Sequence, residues 1–144
     1  MTKMIFVNLP VADLPKSKAF YEALGFVNNP QFTNDQAASM AWSDTIFVML
    51  LTHDFWKTFT TKTIPNARES AQVALCINLD DRAAVDAITD TAGRSGGKAD
   101  QSPPQDHGFM YQRSFEDPDG HAWEPMWMDP AVASGEQPAE HTPD

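Results

Sequence analysis

A chain of 144 residues, 42% of them hydrophobic and 10% aromatic, carries enough apolar material for one core of ordinary size and is too short for two independent domains. Twenty acidic against ten basic residues leave a formal charge of -10, which repels phosphate backbones and anionic lipid surfaces and so excludes nucleic acid and membranes as partners. The apolar runs are far shorter than a membrane span, and residues 1–4 lead into a strand-like segment without a signal-type apolar region, so a cytoplasmic protein is expected.

Residues 4–10 are apolar and partly β-branched, and Asp13 behind them is a good helix cap, so a strand followed by a helix is predicted. In residues 14–24, Leu14, Ala19, Phe20, Ala23 and Leu24 recur at helical spacing, and Gly25 stands where a left-handed residue would end the helix. Three strands are predicted next, over residues 26–32, 37–43 and 45–51, separated by the turn-prone Thr33-Asn34-Asp35 and Ser43-Asp44. The polar stretch 58–70, with Pro65 and Asn66, reads as a linker.

The pattern then repeats. Residues 72–79 predict a strand, Asp81 a cap, residues 82–91 a helix and Gly93 its end, with Asp81 and Gly93 spaced as Asp13 and Gly25 are. Strands are expected again near 98–101, 109–115 and 121–128. The fold class is therefore α+β: two β-α-β-β-β modules, about 1–63 and 70–130, forming one curved mixed sheet with helices outside and a concave cleft. Residues 131–144 are polar, acidic and proline-interrupted, as a flexible tail would be. The single cysteine, Cys76, lies in an apolar run and is expected to be a buried, inert thiol.

Residues 11–26, VADLPKSKAFYEALGF, strongly resemble the first strand-helix segment of the vicinal oxygen chelate superfamily, which includes glyoxalases, bleomycin-resistance proteins and extradiol dioxygenases. Residues 115–124, FEDPDGHAWE, resemble its last hairpin and strand. In such proteins a metal takes ligands from the first strand, from the strand opening the second module, and from a glutamate on the last strand. The resemblance places these at Phe6, Gln72 and Glu124, which it implies converge in one cleft. Phe6 has no lone pair, so Gln72 and Glu124 remain as an incomplete set. His53 and His107 are the histidines that would have to complete it, unless both are loop residues facing water, and His121 belongs to a turn.

The two-residue period of a strand puts Asn8 with Phe6, Ala74 and Cys76 with Gln72, and Ala122 and Met126 with Glu124. Phe6, Asn8, Gln72, Trp42, Met110, Arg113 and Met126 are accordingly the candidate ligand-binding residues and Glu124 the candidate catalytic one. Each has a structural alternative. Trp42 and Trp56 would line a binding wall or fill a core, and Arg113 would hold a substrate carboxylate or pair with Glu116 or Asp117.

Two functions are consistent with this. In one the chain binds a small organic molecule without a cofactor, as a homodimer in the manner of bleomycin-sequestering relatives. In the other it is a lyase, isomerase, dioxygenase or antibiotic-modifying transferase whose weakly held divalent zinc, nickel, iron or manganese uses Glu124 as ligand. A metal-free variant of the second keeps Glu124 as general base.

Overall fold

A computed structural model describes residues 1–139 of the chain. Two compact units divide it, Met1–Ser70 and a second from Ala71 onward. In the first, β1 (Ile5–Val11), α1 (Leu14–Ala23), β2 (Val27–Asn29), β3 (Ala37–Ala41) and β4 (Ile46–Thr52) follow one another, and a single turn of helix, α2 (His53–Trp56), closes the unit.

The Asp13 carboxylate accepts from the Lys16 N–H at 3.1 Å, and Pro15 sits in the first turn of α1, where an N–H would have no helical partner. Gly25, at φ +101°, supplies the left-handed residue behind the helix. The second predicted strand stops early because Pro30 opens a 3-10 turn, Pro30–Phe32, capped by the Asn29 side chain. Strand order is β1-β4-β3-β2, with β1 parallel to β4 and the other pairs antiparallel. From α1, Leu14, Ser17, Phe20 and Tyr21 are buried; so are Leu9, Val11, Ala38, Met40, Val48 and Leu50, which share one face of the sheet.

The second unit repeats the plan with β5 (Ala74–Asn78), α3 (Arg82–Arg94), β6 (Lys98–Ala99), β7 (Gln105–Asp106), β8 (Met110–Gln112), β9 (Phe115–Glu116) and β10 (Ala122–Met128). Here too the first strand runs parallel to the last, β5 with β10, and β10 pairs antiparallel with β8 and β9. The strand expected over residues 109–115 is broken into β8 and β9. Arg113 N–H donates to the Pro125 carbonyl at 3.1 Å, but Pro125 has no N–H to return the bond, so the ladder lapses there. Trp123 and Phe115 stack at 6.2 Å beneath α3 and form the buried centre of this unit.

Three expectations change. Strand pairing forms two ladders, one in each unit, where a single sheet was expected. The second helix extends past residue 91 to Arg94, so Gly93 lies inside it; a Cβ at Gly93 would come within 3.1 Å of the Ala99 Cβ, and the left-handed residue behind the helix is Gly96, at φ +105°. The expected flexible tail begins with a helical turn, α4 (Pro130–Ala133), and residues 140–144 of it lie outside the described residues. Among the described residues no helix is long and apolar enough to cross a membrane.

Candidate functional site

In each unit one face of the sheet packs against its helix, and the other carries some of the residues singled out from the sequence, Phe6 and Asn8 in the first unit and Glu124 and Met126 in the second. On the second face of the first unit, strand register aligns Phe6, Phe47, Ala41 and Val27 in a row across all four strands. Phe6 and Phe47 stack at 4.9 Å with their rings 12° from parallel, and Phe6 is 57% exposed. Asn8 is exposed on the same face, one step along β1 and opposite Met49. Trp42 leaves that row: its ring lies 5.0 Å from the Phe26 ring, and Phe26 is buried.

In the second unit the equivalent face is built on β10. Alternation places Glu124, Met126 and Met128 together there, while Trp123, Pro125 and Trp127 point toward α3. Cys76 lies directly opposite Glu124 across the parallel pair, and Met126 lies between Asn78 and Gln112. Met110 is opposite Met128, and Gln105 is opposite Gln112. From its diagonal position the Gln112 side-chain amide donates a hydrogen bond to Glu124 Oε2, fixing the carboxylate above a surface of thioethers.

Cys76 is exposed, not buried, because only the other face of β5 is covered; Ile77 is the buried residue of that strand. The protein around its sulfur, and then the Glu124 charge, raise the thiol above its ordinary pKa. Gln72, exposed, precedes β5, which starts at Ala74 and not at residue 72.

Arg113 is tied to carboxylates of its own unit. Its side chain is only 11% exposed and turns toward α3, where it pairs with Asp86 at 3.0 Å, Asp90 at 3.0 Å and Asp100 at 2.7 Å. The expected partners Glu116 and Asp117 are not among these carboxylates. The Tyr111 hydroxyl donates to Asp86 at 2.7 Å; burial first, then that bond, push the phenol up to about 12. Next to this cluster Arg82 grips Asp106 through two hydrogen bonds of 2.7 and 2.9 Å, and lies 5.2 Å from the Tyr111 ring centre and 5.3 Å from that of Trp127. Gln112 is the site residue that sequence reasoning missed. Met110 and Arg113 are separated by an odd number of positions and cannot share a strand face, whereas Met110 and Gln112 can.

The sequence family described as bleomycin resistance protein-like N-terminal matches residues 3–40. A hypothetical protein from S. aureus is similar with TM-score 0.73 and 26% identity, over 88% of this chain and 95% of that one. A glyoxalase/bleomycin resistance protein/dioxygenase family enzyme from Burkholderia phytofirmans is similar with TM-score 0.74 and 16% identity, over 88% of this chain and 99% of that one. The fold is that of the vicinal oxygen chelate superfamily. TnmS3, an antibiotic binding protein from Streptomyces sp. CB03234, shares this superfamily fold with TM-score 0.62 and 22% identity, over 89% of this chain and 97% of that one. No curated protein matches the chain significantly.

The superfamily's metal chemistry is a poor fit to these residues. Phe6 offers no donor, Gln72 stands exposed ahead of its strand, and Glu124 is already engaged by Gln112. Among the described residues no three His, Cys, Asp or Glu side chains are grouped as a metal site; His53 begins α2 and His107 follows β7. A borderline divalent ion held through imidazole and carboxylate would find one carboxylate here.

Proposed function

We propose that the protein binds a small organic molecule without a resident divalent metal, with Glu124 as the polar contact that orients it. The observation that carries this reading is the Glu124 carboxylate, held by Gln112 on a half-exposed face otherwise lined by Met110, Met126 and Met128. A carboxylate positioned by a neutral amide can still accept hydrogen bonds from a ligand, and thioether side chains adapt to ligands of varied shape. Asn78, opposite Met126 on the same face of the second unit, is proposed as a further contact of that molecule. TnmS3, named as an antibiotic binding protein, supports the same use of the fold. We further propose a cytoplasmic homodimer, since the row from Phe6 to Val27 leaves aromatic and aliphatic surface exposed.

Thermal-shift screening against bleomycin and a panel of aromatic antibiotics, followed by calorimetry on the hits, tests this. At least one compound should bind with a micromolar Kd, and Glu124→Gln should weaken it at least tenfold, about 1.4 kcal/mol. No stabilisation by any compound at millimolar concentration, or a hit indifferent to Glu124→Gln, would overturn the assignment.

A further inference from the structure

On the face of the second unit turned away from α3, Met126 is flanked in register by two amides, Asn78 on β5 and Gln112 on β8. Glu124 stands two residues behind Met126 on the same face, about 6.5 Å along β10. Met126, Gln112 and Glu124 are half-buried and Asn78 is exposed. The Gln112 amide donates to Glu124 Oε2. A carboxylate has about four lone-pair positions, so Oε1 and the second lone pair of Oε2 stay available side by side. Among the described residues Glu124 forms no ion pair. Arg113 and Arg82 are drawn instead to Asp86, Asp90, Asp100 and Asp106, and Lys98 stands two strands from β10, opposite Glu116.

We infer that this arrangement reads a planar ligand whose edge carries two adjacent N–H donors, with its ring laid on Met126. The inference rests on the small-molecule reading above and names the ligand class of that site. Two parallel N–H bonds onto the two oxygens of one carboxylate match it in spacing and direction, and an edge with a single N–H leaves one oxygen unserved. The Met126 thioether supplies a polarizable, adaptable surface that favours contact with an aromatic ring. Asn78 and Gln112, on either side of it, offer amide donors and acceptors to the ring's periphery. Cys76, opposite Glu124, is a short side chain that leaves the carboxylate reachable from β5. Two chemistries carry such an edge: the neutral 2-amino-4-oxopyrimidine ring of guanine and the pterins, and the protonated amidine of an arylamidine.

Calorimetry of the full chain with two matched pairs of probes tests this and separates the two sources. Guanosine is compared with inosine, which lacks the amino group, and benzamidine with benzylamine, which keeps the charge on a single nitrogen. In at least one pair the two-donor member should bind with a submillimolar Kd and at least tenfold more tightly than its partner. A split for guanosine assigns the neutral edge, and one confined to benzamidine assigns the cationic edge. Glu124→Gln should abolish the split. Met126→Ala should weaken both members of the pair alike, since that side chain touches the ring and not its donor edge. Circular dichroism checks that both variants fold. If neither pair splits while a compound of the antibiotic panel binds through Glu124, the donor-edge inference is overturned and the small-molecule reading stands. A split that survives Glu124→Gln also overturns the inference. If no compound of either set binds, both fall.

Discussion

Arg113 ties three carboxylates of the second unit together. Its guanidinium joins two carboxylates of α3 to Asp100 behind β6, and Asp100 holds a positive φ of 56° while doing so. Arg113→Ala should therefore cost about 2 kcal/mol in urea unfolding, the value of a charged hydrogen-bonded group reduced because its three partners are partly exposed. Ligand affinity should not change. Asp106, beside Arg82, is held at about 2, chiefly by its hydrogen bond to Arg82 and then by that from the Gly108 N–H. A carboxylate depressed in the folded state stabilises fully above its unfolded pKa, about 4, and loses that contribution as pH falls through about 2. Acid unfolding of Arg82→Ala should show a smaller stability loss across that window than the parent does. An equal loss would remove Asp106 from the acid response. Glu124 and Met126 were legible as face residues because strand alternation needs only their spacing. Gln112 and the partners of Arg113 were not, because they depend on which strands become neighbours, and that pairing joins residues far apart in sequence.

Among the elements, the helix starts were readable and the helix ends less so. Asp13 and Asp81 cap through the same side-chain bond, Asp81 Oδ1 accepting from the Ala84 N–H at 2.7 Å, so Asp81→Ala should lower stability by about 1 kcal/mol in thermal or urea unfolding. Asp81→Ser should recover most of it, and equal losses for the two would argue against capping as the cause. Gly93 misled because a glycine near a helix end signals termination, while here it admits Ala99 of β6 against the helix. Gly93→Leu should destabilise more than Asp81→Ala, since a branched side chain must displace that strand. β10 was anticipated nearly to the residue, yet the interruption facing it was not. Pro125 is unremarkable in the one-dimensional pattern and becomes a ladder break only once an antiparallel neighbour asks for its missing N–H.

At the scale of the whole chain, duplication was legible from the repeated order of strand, aspartate-capped helix and further strands, although the glycine spacing that accompanied it was a coincidence, and in both units the first strand runs parallel to the last. The proposed dimer is checked by sedimentation: a two-chain mass is expected at micromolar concentration, and Val27→Asp, placed at the exposed end of the apolar row, should shift it toward one chain. Unchanged mass in that variant would move the interface elsewhere. The closure of each ladder within its own unit has a further consequence. Residues such as Phe6, Cys76 and Met126 project from faces that neither helix uses, so their replacement leaves caps, ladders and buried aromatics intact. Selection can then exchange one ligand preference for another through substitutions of little structural cost, and the two halves can diverge at different rates, which makes the scaffold a reservoir of evolvability.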